Sequence, residues 1–259
     1  MRVIISSTED PASMAIRDRL LKHGWERVPS DPLDYLVRGN IALFTITEPM
    51  IYAELLDREV RDSGVKADLL IFASRHESAS KLRCLTVHPV GNLGVEARYG
   101  GLPRTVSPSA PDHMTGALRT LKRVAEDLPY RVSFEVTHHG PYLETPAFFI
   151  EIGSTREEWG DSRAAEAVAR TILEYRPARG VTCLGLGGGH YAPRFSEVAL
   201  EGDATFGHMV SKYYLDQLDQ DLLDHILSRN GNTEYYLAHG SLGEELVKLL
   251  RSRGLRPLK

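Results

Sequence analysis

Glu135, His138, His139 and Glu151 fall within one short segment, FEVTHHGPYLETPAFFIEIGS, whose apolar runs otherwise read as strand. A carboxylate in a strand covered on both faces costs several kcal/mol, of order 2–5, unless a cation or a proton accompanies it. Histidines supply the means to hold that charge. His76 follows DLLIFAS, His88 closes LRCLTVH, His138 and His139 close RVSFEVT, and His190 follows VTCLGLGGG. Any one of them alone would read as a hydrogen-bonded structural residue. Five such histidines at strand ends with two strand carboxylates indicate a metal or acid/base site, and nitrogen and oxygen donors without thiolate suit catalytic zinc. Nothing matches HExxH, so zincin-type proteolysis has no support.

Further polar groups sit at turns. GLGGGHYAP lacks the Lys-Ser/Thr of a phosphate loop, and Pro193 breaks its likeness to a dinucleotide fingerprint. It reads as a strand-end turn in which Gly187, Gly188 and Gly189 admit substrate close to the backbone and aim His190 at the site. Asn92 is placed to hydrogen-bond a carbonyl or a phosphate. His208 and Lys212, four apart on an expected helix, would share a face and meet one anion. Ser74, Ser78 and Ser80 lack the GxSxG elbow of a serine nucleophile. Cys84 and Cys183 have no CxxC partner and read as buried small hydrophobes.

The elements that position these groups are legible from hydrophobic period. Strand-like runs occur at 2–6, 34–37, 41–46, 68–74, 82–88, 131–137, 147–153, 181–187 and 233–239, and helical patterns at about 10–24, 49–63, 111–127, 161–175, 216–229 and 242–253. The first helix opens on Asp10 and Pro11, and the last on the capping box Ser241-x-x-Glu244. Alternating strands and helices predict a three-layer α/β/α fold with a mainly parallel, mixed central sheet, and ligands at the carboxyl ends of its strands. A single α/β hydrolase domain over residues 1–259 is expected, with 89–130 as a candidate insertion. Gly91 to Asp112 reads as a long functional loop.

The chain has 259 residues, 42% apolar, and a net charge of -4, which disfavours nonspecific coating of nucleic acid. Basic residues are nevertheless concentrated. Eight lie between Arg75 and Arg123 against three acidic ones, and five lie between Leu246 and Lys259 with none. Solvated helix faces and local polyanion contact are both consistent with this. No apolar stretch reaches a membrane span and no secretory leader is evident, so a cytoplasmic location is expected.

Taken together and in this order, SRHES, LTVHPVGN, FEVTHHGP, PAFFIEIGS, GLGGGHYAPRF and FGHM resemble the archaeal and plant type of D-aminoacyl-tRNA deacylase, and RVIISSTEDPAS is also similar. The resemblance implies a phosphorylase- and hydrolase-like α/β/α fold, two zinc ions per chain, and hydrolysis of the ester between a D-amino acid and the 3′ end of tRNA. The freed tRNA can then be charged correctly. On this reading His76, His88, His138, His139 and Glu151 are the metal-ligand set, and Glu135, His138, His139 and His190 are catalytic. Arg75, Asn92, Gly187, Gly188, Gly189, His208 and Lys212 face the substrate. The expected partner is the acceptor end of D-aminoacyl-tRNA, not DNA or a membrane, and the chain is expected as a monomer or weak homodimer. A zinc amidohydrolase or exopeptidase, or a noncatalytic RNA-binding protein, are the competing readings.

Overall fold

In the computed structural model residues 1–258 are described; Lys259, last of the basic tail, lies outside the described residues. The chain runs β1 (Arg2–Ser7), α1 (Pro11–Leu20), β2 (Glu26–Val28), β3 (Tyr35–Arg38), β4 (Ile41–Ile46), α2 (Leu56–Asp62), β5 (Leu69–Glu77) and β6 (Cys84–Pro89). A ribbon of β7 (Gly91–Asn92) and β8 (Thr105–Val106) then leads to α3 (Pro111–Val124), β9 (Arg131–Phe134), β10 (Ala147–Ser154), α4 (Arg156–Trp159) and α5 (Ser162–Glu174). The last third contains β11 (Val181–Gly187), α6 (Pro193–Glu201), β12 (Ala204–Val210), α7 (Gln220–Ser228), β13 (Thr233–His239), α8 (Glu244–Ser252) and β14 (Arg256–Pro257).

Eight strands form a mixed sheet in the order β2-β3-β4-β1-β5-β10-β6-β9, and four more form a second sheet in the order β12-β11-β13-β14. Alternation decides which residues face which layer. Leu69, Ile71 and Ala73 of β5, with Phe148, Ile150 and Ile152 of β10, bury against Ile16, Leu118 and Val168 of α1, α3 and α5. The other face carries Leu70, Phe72, Ala147 and Phe149, covered by Met50, Leu56 and Val60 of α2 and a preceding 3₁₀ turn. That cover is short. It ends before the carboxyl half of β5 and β10, and Ser74, His76 and Glu151 continue the same face where the apolar layer stops.

The first helix begins as its sequence indicates: Asp10 Oδ1 accepts from Ser13 N at 2.9 Å, with Pro11 at the first position. Asp10 Oδ2 also accepts from Arg75 N at 2.9 Å, which ties the helix start to β5 beside the site. The expected capping box at Ser241 does not form. Gly243 is the N-cap of α8 and no side chain caps it, whereas Thr155 and Glu158 make a reciprocal capping box at α4. The helix expected to carry both His208 and Lys212 is likewise absent: His208 lies in β12, and Lys212 starts a 3₁₀ turn, Lys212–Gln217. β12 alternates poorly because Thr205, Gly207 and His208 interrupt its apolar residues, yet all seven of its positions are buried.

Main-chain hydrogen bonds help to join the sheets. Val136 N donates to His190 O at 3.0 Å, and Thr137 N donates to Met209 O at 2.8 Å, so the segment after β9 crosses from the edge of the first sheet to β12 of the second. Both cysteines are free and buried.

Candidate metal centre

The carboxyl ends of the strands do not share one edge, as a mainly parallel sheet had implied. β10 runs parallel to β5 but antiparallel to β6, and the site forms across a face instead. Glu151 pairs with Ser74 of β5 and Thr86 of β6; His76 stands opposite Gly153 and His88 opposite Phe149. The two histidines therefore flank Glu151 diagonally. A Cβ on Gly153 would lie 2.7 Å from the His76 ring, so this position must stay small for His76 to occupy it. Glu135 is delivered just beyond β9, its N–H bonded to Val87 O at 3.1 Å, and His138 and His139 follow along the seam. His190 comes from the turn after β11.

Glu135 is fully buried, and its oxygens lie 3.2 Å from His76 Nδ1, 3.0 Å from His190 Nε2 and 3.5 Å from His138 Nε2. Glu151 Oε2 is 3.4 Å from His76 Nδ1 and 3.6 Å from His88 Nε2, while Oε1 accepts from Ser74 Oγ at 2.5 Å. Despite these approaches, neither oxygen of Glu135 and not His88 Nε2 has a hydrogen bond of acceptable geometry. Buried polar atoms are almost always satisfied, so this convergence needs an occupant.

The tautomers follow from carbonyls that can only accept. Nδ1–H of His88 donates to Pro89 O at 3.0 Å, that of His138 to Val136 O at 2.7 Å, and that of His139 to Gly140 O at 2.7 Å. Each ring so anchored presents its Nε2 lone pair inward, the arrangement in which backbone carbonyls orient metal-binding imidazoles. The three Nε2-bearing rings form one group whose ligand atoms lie within 4.8 Å of one another. His76, Glu135 and His190 form a second such group, and His88, Glu135 and Glu151 a third. His139 holds φ +42°, a left-handed conformation that strains a bulky residue and is retained where surroundings over-determine it.

For His138 and His139, charge favours the same reading. Burial, with neighbouring imidazoles adding to it, pushes His139 down to about 4 and His138 well below the usual range, so both are neutral at neutral pH. Burial opposes charge on Glu151 and on His76 and His88, but their mutual attraction outweighs it. Glu151 is held well below the carboxylate range, and both histidines are raised.

A cavity of about 600 Å³ opens onto His76, His138, His139, His190 and Glu151, a size suited to a small ligand or the end of a larger one. Arg75 lines it, with its guanidinium over Trp159 and bonded to Glu9 O at 3.0 Å. Asn92 is turned elsewhere. Its side-chain amide donates to Gly100 O at 2.8 Å and braces the loop between β7 and β8. Gly187 and Gly188 pack against His239 and do not line the cavity, and a Cβ on Gly189 would meet nothing within 4 Å. Lys212 also lies outside the lining, with Nζ 5.2 Å from the Tyr213 ring. Sequence reasoning missed Tyr191, whose hydroxyl is 3.1 Å from His76 Nε2, and the partnership of Ser74 with Glu151.

His208 is a structural residue. Nε2–H donates to Ser107 O at 3.0 Å, and Nδ1, at 3.2 Å, accepts from Thr137 Oγ1, which itself accepts from Met209 N. The ring is fully buried, and burial pushes it down to about 3. Between that value and about 6.5 the unfolded chain binds the extra proton, so this contribution is complete above 6.5 and is lost as pH falls toward 3. From pH 7 to pH 5 wild type should lose about 2 kcal/mol through this group. His208→Asn keeps one donor and one acceptor but should lack that slope. Urea unfolding at both pH values checks it; equal slopes would refute the assignment.

Comparison with known proteins follows the same lines. The family model for D-aminoacyl-tRNA deacylase matches residues 63–256. The D-aminoacyl-tRNA deacylase of Pyrococcus horikoshii is 39% identical over 276 residues, covering 100% of both chains. That of Methanococcoides burtonii is 41% identical over 95% of this chain, which spans about half (53%) of that relative's length. A crystal structure of a conserved protein of unknown function is 30% identical and superposes with a TM-score of 0.93, covering 100% of this chain and 94% of the other.

Proposed function

The chain belongs to the D-aminoacyl-tRNA deacylase family, and we propose that it hydrolyses the ester between a D-amino acid and the 3′ end of tRNA in this cavity. The observation that carries the proposal is the buried, unsatisfied convergence of Glu135 and His88 among imidazoles whose lone pairs point inward. An RNA-binding module would gain nothing from it, because phosphate is not attracted to buried carboxylates.

The donor set fits zinc. His88, His138 and His139 would hold it, and His138 and His139 also line the cavity. Bound there, zinc would supply positive charge that polarises the ester carbonyl and acidifies water. The remaining work falls to the chain. His190 is the one imidazole of the set that both reaches Glu135, at 3.0 Å, and stands 43% exposed. It is placed to take a proton from the attacking water and return it to the departing 3′-oxygen, with Glu135 fixing its orientation. Ser74 holds Glu151 rigid. Phe149, Met50 and Ile51 form the apolar wall for the aminoacyl side chain. A second zinc at His76, Glu135 and His190 would engage the same dyad as ligands. Zinc per chain, measured on purified protein, separates one site from two.

Release of D-tyrosine and L-tyrosine from separately charged tRNA tests the proposal. D-ester cleavage that chelation lowers at least about 100-fold and zinc restores is the expected result. If zinc-loaded protein cleaves neither ester, the amidohydrolase reading replaces it; undiminished cleavage by stripped protein removes the metal.

A further inference from the structure

Two tyrosines at the cavity mouth have no role in the chemistry above. Tyr99 is 64% exposed and Tyr52 48% exposed, and both line the cavity that His138 and His139 open onto. Large aromatic rings left in water beside a site are costly unless a ligand covers them. Their footing is rigid. Tyr99 O accepts from Gly140 N at 3.0 Å, next to His139, and Tyr52 Oη donates to Arg98 O at 3.4 Å. Gly101 N donates to Glu54 Oε1 at 2.5 Å. Gly100, at φ +73°, packs so closely on Ile51 that a Cβ would stand 1.6 Å from its carbonyl oxygen. The loop thus holds Tyr99 at the mouth by backbone contacts and leaves its ring uncovered.

We infer that Tyr99 and Tyr52 form a stacking shelf for the unpaired terminal base of the tRNA, an inference that rests on the deacylase reading. With the ester carbonyl at the histidines and the aminoacyl group against Phe149, the base one ribose away falls at the mouth. A flat aromatic surface suits it because every base has a π-face, and stacking needs no pattern of donors. This shelf would fix the ribose, and so the ester, relative to His138 and His139.

The test uses uncharged tRNA with an intact 3′ end and the same tRNA lacking its terminal nucleotide. Wild-type protein should bind the intact RNA about 10-fold more tightly, and Tyr99→Ala should bind both within about twofold. Tyr99→Phe should keep the preference, since the ring and not the hydroxyl stacks. Tyr52→Ala should reduce it. In deacylation, Tyr99→Ala should raise KM about 10-fold with kcat little changed. A preference retained by Tyr99→Ala, absent from wild type, or lost equally in Tyr99→Phe overturns the shelf while D-ester cleavage continues. Failure of wild type to cleave any D-ester would instead overturn the reading on which it rests.

Discussion

Glu135→Gln should lower kcat/KM on D-tyrosyl-tRNA by at least about 10³-fold without unfolding the protein, because one substitution removes the partner of the proton-transferring group and the negative charge at the centre of the site. Glutamine matches the shape of glutamate, so packing around this fully buried side chain survives. Its amide, however, presents two donors where His76, His138 and His190 all approach within 3.5 Å. One carboxylate oxygen that would accept from a cation or an imidazolium is lost together with the side chain's capacity for negative charge. Rapid-quench single turnovers give the rate, circular dichroism checks the fold, and elemental analysis gives the metal content. A variant within tenfold of wild type that keeps its full metal complement would remove Glu135 from the mechanism.

Metal removal should have the second large effect, on stability. Folding brings His88 to the adjacent pair His138 and His139, which the unfolded chain leaves about 50 residues away, so a cation would bind the folded form in preference to the unfolded one. At free zinc about 1,000-fold above the dissociation constant the gain is about 4 kcal/mol, and for a chain of this size each kcal/mol moves Tm by roughly 2–4 °C. Chelation should therefore lower Tm by about 8–16 °C. His138→Ala, already short of one ligand, should melt at nearly the same temperature with or without zinc. A wild-type melt indifferent to chelator and to zinc would contradict the site, whatever the activity.

The alternation of strands and helices and the gathering of Glu135, His138, His139 and Glu151 into one buried cluster were legible because they depend on local pattern: apolar period two, and carboxylates where none should be buried. What escaped depends on pairings distant in sequence. The reversal of β6 beside β10 leaves no trace in either segment, yet it turns an expected rim into a face and sets His76 and His88 diagonally about Glu151. Tyr191 adjoins His190, but nothing local places its hydroxyl on His76. The basic zones show the same limit. Arg83 meets Glu157, Arg104 meets Asp219, Arg253 meets Asp224 and Arg256 meets Glu234, so acids remote in sequence neutralise much of the charge counted locally. β12 was missed because its glycine and histidine interrupt the apolar alternation, whereas the buried Asn230 side chain accepts from His208 N and is itself held by Ser109 Oγ.

The seam that joins the two sheets sets an order of events during synthesis. A ribosome delivers His76 and His88 first, Glu135 to Glu151 next, and His190 only after β11; β12, which anchors Thr137, comes later still. Until that last piece emerges, the segment carrying Glu135, His138 and His139 lacks its far attachment. A growing chain therefore holds most of the candidate site residues without the finished pocket, and on the proposed function ester cleavage would report that both sheets have been made and joined.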